Sequence, residues 1–187
     1  MRFVQMCPFV RFAAVCNNVA MGRVHDGSDI DLFFVMKRGG LFTGRFFVTL
    51  VLHLLGVRRH GGKVAGRFCL SFFMDNSDLD LSKIAIENDY YLAYWCKTMI
   101  PFIDRGIIEK FENSNGWVPG LKLRRDYLLP DKKPFLESIS FPESFLARWQ
   151  KKRILRKINR LTRPHGIIAD DHMLKFHDVD SRAVLRD

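Results

Sequence analysis

The residues of this chain best suited to chemistry are two aspartates in the run Gly27-Ser28-Asp29-Ile30-Asp31-Leu32-Phe33. Side chains alternate faces along an extended strand, so Asp29 and Asp31 share a face, roughly 7 Å apart. Carboxylates so placed on an otherwise apolar strand repel each other and lose hydration, a cost that a cation between them removes. A hard divalent ion, Mg2+ or Mn2+, suits the pair, because it takes oxygen ligands and accepts one or two carboxylates together with substrate phosphates. The spacing alone also reads as a solvated strand start, with Asp29 capping the preceding turn.

Other reactive residues carry weaker patterns. Cys7, Cys16, Cys69 and Cys96 form no C-x-x-C pair, and three of them lie in apolar runs where a reduced thiol packs as a small hydrophobe. Free thiols and a cytoplasmic location are therefore expected. His53/His60 and His172/His177 lack the helical spacing and the cysteine partners of a zinc site. Lys63, in His60-Gly61-Gly62-Lys63, sits in a glycine-rich loop without P-loop spacing. Phe176, His177, Asp178 and Arg182 read as a structural ion pair beside a buried ring. Residues 148–163 hold eight of the ten net positive charges and no acid. Such a segment suits RNA or another anionic acceptor, the alternative being a solvated helix face. Arg148 and Trp149 together suit stacking on a base, and Trp149 alone reads as a core anchor.

The elements that must position these residues follow from composition and periodicity. With 187 residues, 48% of them apolar and 27% charged, the chain is that of a folded protein able to bury a core. The longest apolar stretch, Phe46 to Val57, contains Thr49 and His53 and falls well short of a membrane span. The N-terminal run MRFVQMCPFV does not read as a signal peptide. Strands are expected over 9–16, 29–35 and 68–74, and a buried helix over 41–57, which is apolar nearly all round. Helices are expected over 89–104 and 107–113, with Tyr90, Tyr91, Tyr94 and Trp95 in the core. A loop-rich connector over 117–141 and a basic helix over about 142–161 follow. Ile154, Leu155, Ile158 and Leu161 would form the packed stripe of that last helix. The pattern is α/β, with a core over 1–88 and a helical C-terminal part over 89–187 that is either packed on it or continuous with it.

The stretch AVCNNVAMGRVHDGSDIDLFFV, residues 14–35, resembles the nucleotidyltransferase superfamily, the polymerase-β-like fold. In that pattern a strand ends at Val15-Cys16, and Asn17-Asn18 stand where the family has Gly-Ser. Gly22 matches a later glycine, and Ser28-Asp29-Ile30-Asp31 forms the metal-binding strand. Asn18 and Asp29 are eleven positions apart, within the family's window. Residues 67–73, 90–105, 109–118 and 170–182 are similar to later blocks of an uncharacterised bacterial branch of predicted nucleotidyltransferases. The resemblance implies a mixed sheet flanked by helices. It also implies transfer of a nucleoside monophosphate from a nucleoside triphosphate (NTP) to an acceptor. Asp29 and Asp31 would be catalytic metal ligands, while Asn17, Asn18, Gly22 and Ser28 would line the nucleotide site.

Two departures stand out. Asn17 and Asn18 replace Gly-Ser, although Asn tolerates left-handed geometry and donates through its amide. The family's third carboxylate, from a neighbouring strand, has no counterpart: Ser71 lies at the centre of the matching strand, and Asp75 and Asp78 lie beyond its end. A catalytically impaired member that binds nucleotide or nucleic acid through the basic helix is the alternative expectation. The family also carries a segment before the first strand, which Met1 nearly abuts here. An incomplete copy of that architecture, with exposed apolar surface and a tendency to oligomerise, is expected.

Overall fold

The computed structural model describes residues 1–132, 143–158 and 167–176. After a 3-10 turn at Val4–Met6, strand β1 (Val10–Cys16) runs into a short helix, α1 (Asn17–Ala20). β2 (Ile30–Met36), helix α2 (Leu41–Leu54) and β3 (Phe68–Asp75) follow, then a second 3-10 turn at Leu81–Ile84. The remainder comprises α3 (Tyr90–Thr98), β4 (Ile100–Asp104), α4 (Ile108–Ser114), α5 (Glu143–Ile158), β5 (Ile167–Ala169) and β6 (Met173–Phe176).

The six strands among the described residues form one mixed sheet in the order β4-β1-β2-β3-β6-β5. β2 and β3 are parallel and joined through α2, as a crossover requires, while the other neighbours are antiparallel. The α/β architecture with flanking helices is thus as expected, and residues beyond 88 contribute strands to both edges of the sheet.

Alternation along the central strands builds two apolar layers. Phe33 and Val35 pack with Phe12, Phe72, Trp95 and Phe111 under α3 and α4. Leu32, Phe34 and Met36 pack with Phe73, Val48 and Leu52 under α2 and α5. The centre of the first layer is aromatic: Phe33 lies 5.3 Å from Trp95 and 5.0 Å from Phe72 between ring centroids. Gly40, which precedes α2, is required by close approach, because a Cβ there would meet the Phe9 ring at 2.5 Å.

Several expected elements are corrected. The helix expected over 89–104 ends at Thr98, and Ile100–Asp104 instead pairs with β1 as an edge strand. Pro101 disfavours helical geometry at the residue before it, and the open side of β1 receives the apolar run. Tyr90 and Tyr94 are exposed, so Leu92, Trp95, Cys96 and Met99 form the packed side of α3. α2 buries one face only, leaving Leu50 and Leu54 in solvent. On α5 the buried positions are Leu146, Gln150 and Ile154, four apart, and Leu155 is exposed. Leu161, His177, Asp178, Arg182 and the side chain of Ile158 lie outside what is described.

Candidate metal centre

The sheet register brings the reactive residues together at one end of β2. Asp31 is paired with Cys16 on β1 and with Cys69 on β3, so the three side chains share a face. Asp29, two residues earlier, points the same way. Ligand atoms of Asp29, Asp31 and Cys69 all lie within 4.8 Å of one another, and all three residues are half-buried. Cys69 is absent from the site expected from sequence. Strand register selects it, and a cysteine in an apolar run carries no local signal of that partner.

Ser71 is displaced from this face by an irregularity between Leu70 and Phe72, where the β2–β3 register shifts. Ser71 instead borders a cavity against α2 and α5, with its hydroxyl enclosed. The residue beside Asp31 is therefore Cys69, a correction to the expectation that centred on Ser71. Asp75 lies at the opposite end of β3, buried, with Oδ2 3.1 Å from His172 Nδ1. Asp78 pairs with Lys83. Neither aspartate belongs to the centre.

A guanidinium is already present. Arg59 donates from Nη1 to Asp29 Oδ2 at 2.6 Å and lies 3.9 Å from Cys69 Sγ. Partial burial works against its charge, but the bond to Asp29 outweighs this and raises its pKa above the ordinary arginine value. Burial, followed by the Asp31 and Asp29 charges, pushes the Cys69 thiol up to about 12. Burial, aided by Asp31, also raises the Cys16 thiol well above its ordinary value. Both thiols are therefore protonated at neutral pH, the reverse of a reactive cysteine.

The remaining expected site residues surround this centre unequally. Asn17 follows directly on the residue paired with Asp31 and adopts φ +55° as it opens α1, a left-handed geometry that Asn tolerates. Asn18 is exposed on the same turn. Gly22, at φ +70°, reverses the chain after α1. Ser28 is buried, and its Oγ accepts from the His25 backbone N–H at 2.9 Å, so its hydroxyl closes the loop before β2. Lys63 is exposed on a small turn in which its N–H donates to His60 O at 3.0 Å.

The donor set fits a hard divalent cation through the two carboxylates. A thiol held protonated is a poor partner for Mg2+, so Asp29 and Asp31 are the residues that would hold such an ion. Comparison of the chain with protein-family models, curated proteins and solved structures returned no match. The functional reading therefore rests on residues and geometry. Among the described residues no helix is long and apolar enough to cross a membrane.

Proposed function

We propose that the chain is a divalent-metal-dependent nucleotidyltransferase, moving a nucleoside monophosphate from an NTP to an acceptor. The observation that carries this reading is the convergence of Asp29 and Asp31 within 4.8 Å, beside the turn at Asn17-Asn18. Bound Mg2+ or Mn2+ would neutralise the charge of the triphosphate and of the leaving pyrophosphate.

The residues of the chain have separable tasks. Asp29 and Asp31 hold the ion, and Arg59, freed from Asp29, faces the phosphate oxygens. Cys69 bonds to Asp31 as a neutral donor and fixes the orientation of its carboxylate. Asn17 and Asn18 present amide donors at the start of α1, and Gly22 and Ser28 shape the loop between that turn and the metal strand. In the transfer itself the acceptor oxygen bonds to the α-phosphorus as the bond to pyrophosphate breaks, and the acceptor proton passes to solvent. A cytoplasmic setting suits the four free cysteines.

The thiol at Cys69 favours a second reading, in which the chain binds nucleotide or nucleic acid without transfer. It stands where the resemblance leads one to expect a third carboxylate. In that case the exposed cations of α5, Arg148, Lys152 and Arg156, make the contact with RNA or another anionic acceptor. Thermal melts with each of the four NTPs, with and without Mg2+, test the first reading. It requires a Mg2+-dependent rise that Asp29→Asn and Asp31→Asn remove, followed by pyrophosphate release from the wild type alone. Nucleic-acid affinity that is unchanged in Asp31→Asn, with no NTP response in either protein, would leave only the second.

A further inference from the structure

On the α2 side of the sheet, α2, β3, α5 and the loop at 58–61 line a cavity of about 690 Å3 that reaches Arg59 and Cys69, within the usual range of small-ligand sites. Three polar atoms of its inner wall are unpaired. Arg45 Nε, Thr49 Oγ1 and Ser71 Oγ are enclosed and have no hydrogen-bond partner among the described residues. Arg45 and Thr49 lie one helical turn apart on α2, and the strand irregularity that removes Ser71 from the metal centre turns it toward them. Ser71 is only 3% exposed, so its orphaned hydroxyl carries a desolvation cost that an incoming acceptor would relieve.

The charge around these atoms has one sign. Arg45, Arg58, Arg59 and Arg153 line the cavity, and of these only Arg59 pairs with a carboxylate, Asp29, among the described residues. The Arg45 guanidinium is fixed by Gln150 Oε1, whose own amide donates to Phe42 O at 2.7 Å, and it lies 4.9 Å from the Phe176 ring. Burial and the neighbouring cations Arg58 and Arg153 lower its pKa to about 10, the response of a charge lacking a counter-ion. Nearer solvent, Phe46 and Trp149 approach edge to face, and Trp149 is 43% exposed.

We propose that this cavity binds a small aromatic phosphomonoester, with the phosphate at Arg45, Thr49 and Ser71 and the ring against Phe46 and Trp149. A nucleoside 5′-monophosphate is the simplest such ligand, whether free or as the 5′ end of an RNA. Binding here needs no metal, and Arg59 and Cys69, which border the Asp29–Asp31 centre, also line the cavity.

Calorimetric titration of the full chain in EDTA with AMP and with adenosine tests the phosphate requirement. AMP binds about tenfold or more tightly than adenosine, and Ser71→Ala loses about tenfold of that affinity. Since Ser71 Oγ has no partner among the described residues, that variant keeps or exceeds the wild-type melting temperature, whereas Arg45→Gln, which removes a packed cation, is the less secure probe. Trp149→Ala weakens AMP while leaving inorganic phosphate unaffected. A 5′-phosphorylated tetraribonucleotide that outbinds both AMP and its 5′-hydroxyl form identifies an RNA end as the natural source, and AMP at least as tight as the tetranucleotide identifies a free nucleotide. Equal affinity for AMP and adenosine, no binding of either, or unchanged AMP affinity in Ser71→Ala overturns the assignment.

Discussion

A single side chain decides what kind of centre the head of β2 can be. Cys69 stands beside Asp31 with its thiol pushed up to about 12, so it serves as a neutral donor where a carboxylate would add charge. Cys69→Asp is expected to lower stability by about 1 kcal/mol in EDTA, as like charges opposed across strands do. Added Mg2+ should then raise the melting temperature of the variant by more than it raises the wild type's. An identical Mg2+ response in the two proteins would mean that no cation sits between these strands. A second residue, Asn115, acts through the fold. Fully buried, it accepts from Leu81 N at 2.9 Å and Trp117 Nε1 at 3.1 Å, and donates to Leu79 O at 2.8 Å and Phe111 O at 2.9 Å. Asn115→Ala strands these groups away from water and is expected to cost about 3 kcal/mol, or roughly 6–12 °C in melting temperature.

Between elements, the main tie is Glu143, at the start of α5. Its carboxylate accepts from the backbone N–H groups of Phe42 and Thr43 at 2.7 and 2.9 Å, and from the Thr43 hydroxyl. It thus caps α2, whose preceding Gly40 offers no side chain. Glu143→Ala is expected to cost about 2 kcal/mol, roughly 4–8 °C, and to speed amide exchange at the start of α2. A loss under 0.5 kcal/mol would show that α5 docks without this contact. No periodicity reveals such a tie, since its partners are 100 positions apart. β1, β2, β3 and α2 were legible because their apolar patterns are local and long. β4 was not, because Ile100-Pro101-Phe102-Ile103 is apolar enough to extend a helix, and only the vacant edge of β1 makes it a strand. β5 and β6, three and four residues long, are likewise set by their neighbours. The two aspartates could be read from their spacing, whereas Cys69 and the place of Ser71 required a register that only pairing supplies.

At the scale of the molecule, the thiols buried across both layers couple stability to alkaline pH. Burial pushes Cys7 and Cys96 up to about 12 and holds Cys16 well above its ordinary value, while an unfolded cysteine titrates at ~8.5. Below that lower value both states carry the proton, and no free energy depends on pH. Above it the unfolded chain releases protons that the folded chain retains, so stability falls as pH rises toward the folded value. Each fully buried thiol contributes a slope approaching about 1.4 kcal/mol per pH unit above roughly pH 9. Cys96 isolates the effect, being fully buried and, unlike Cys16 and Cys69, not shifted by the Asp29 and Asp31 charges. Urea unfolding of the reduced protein at pH 7, 8, 9 and 10 should show this decline, and Cys96→Ala should flatten it by about one thiol's slope. The cavity left by the missing sulfur lowers stability equally at every pH, so the comparison of slopes is free of it. Parallel curves for the two proteins would mean that the Cys96 thiol ionises as readily in the fold as out of it, and that the core beneath α3 admits water.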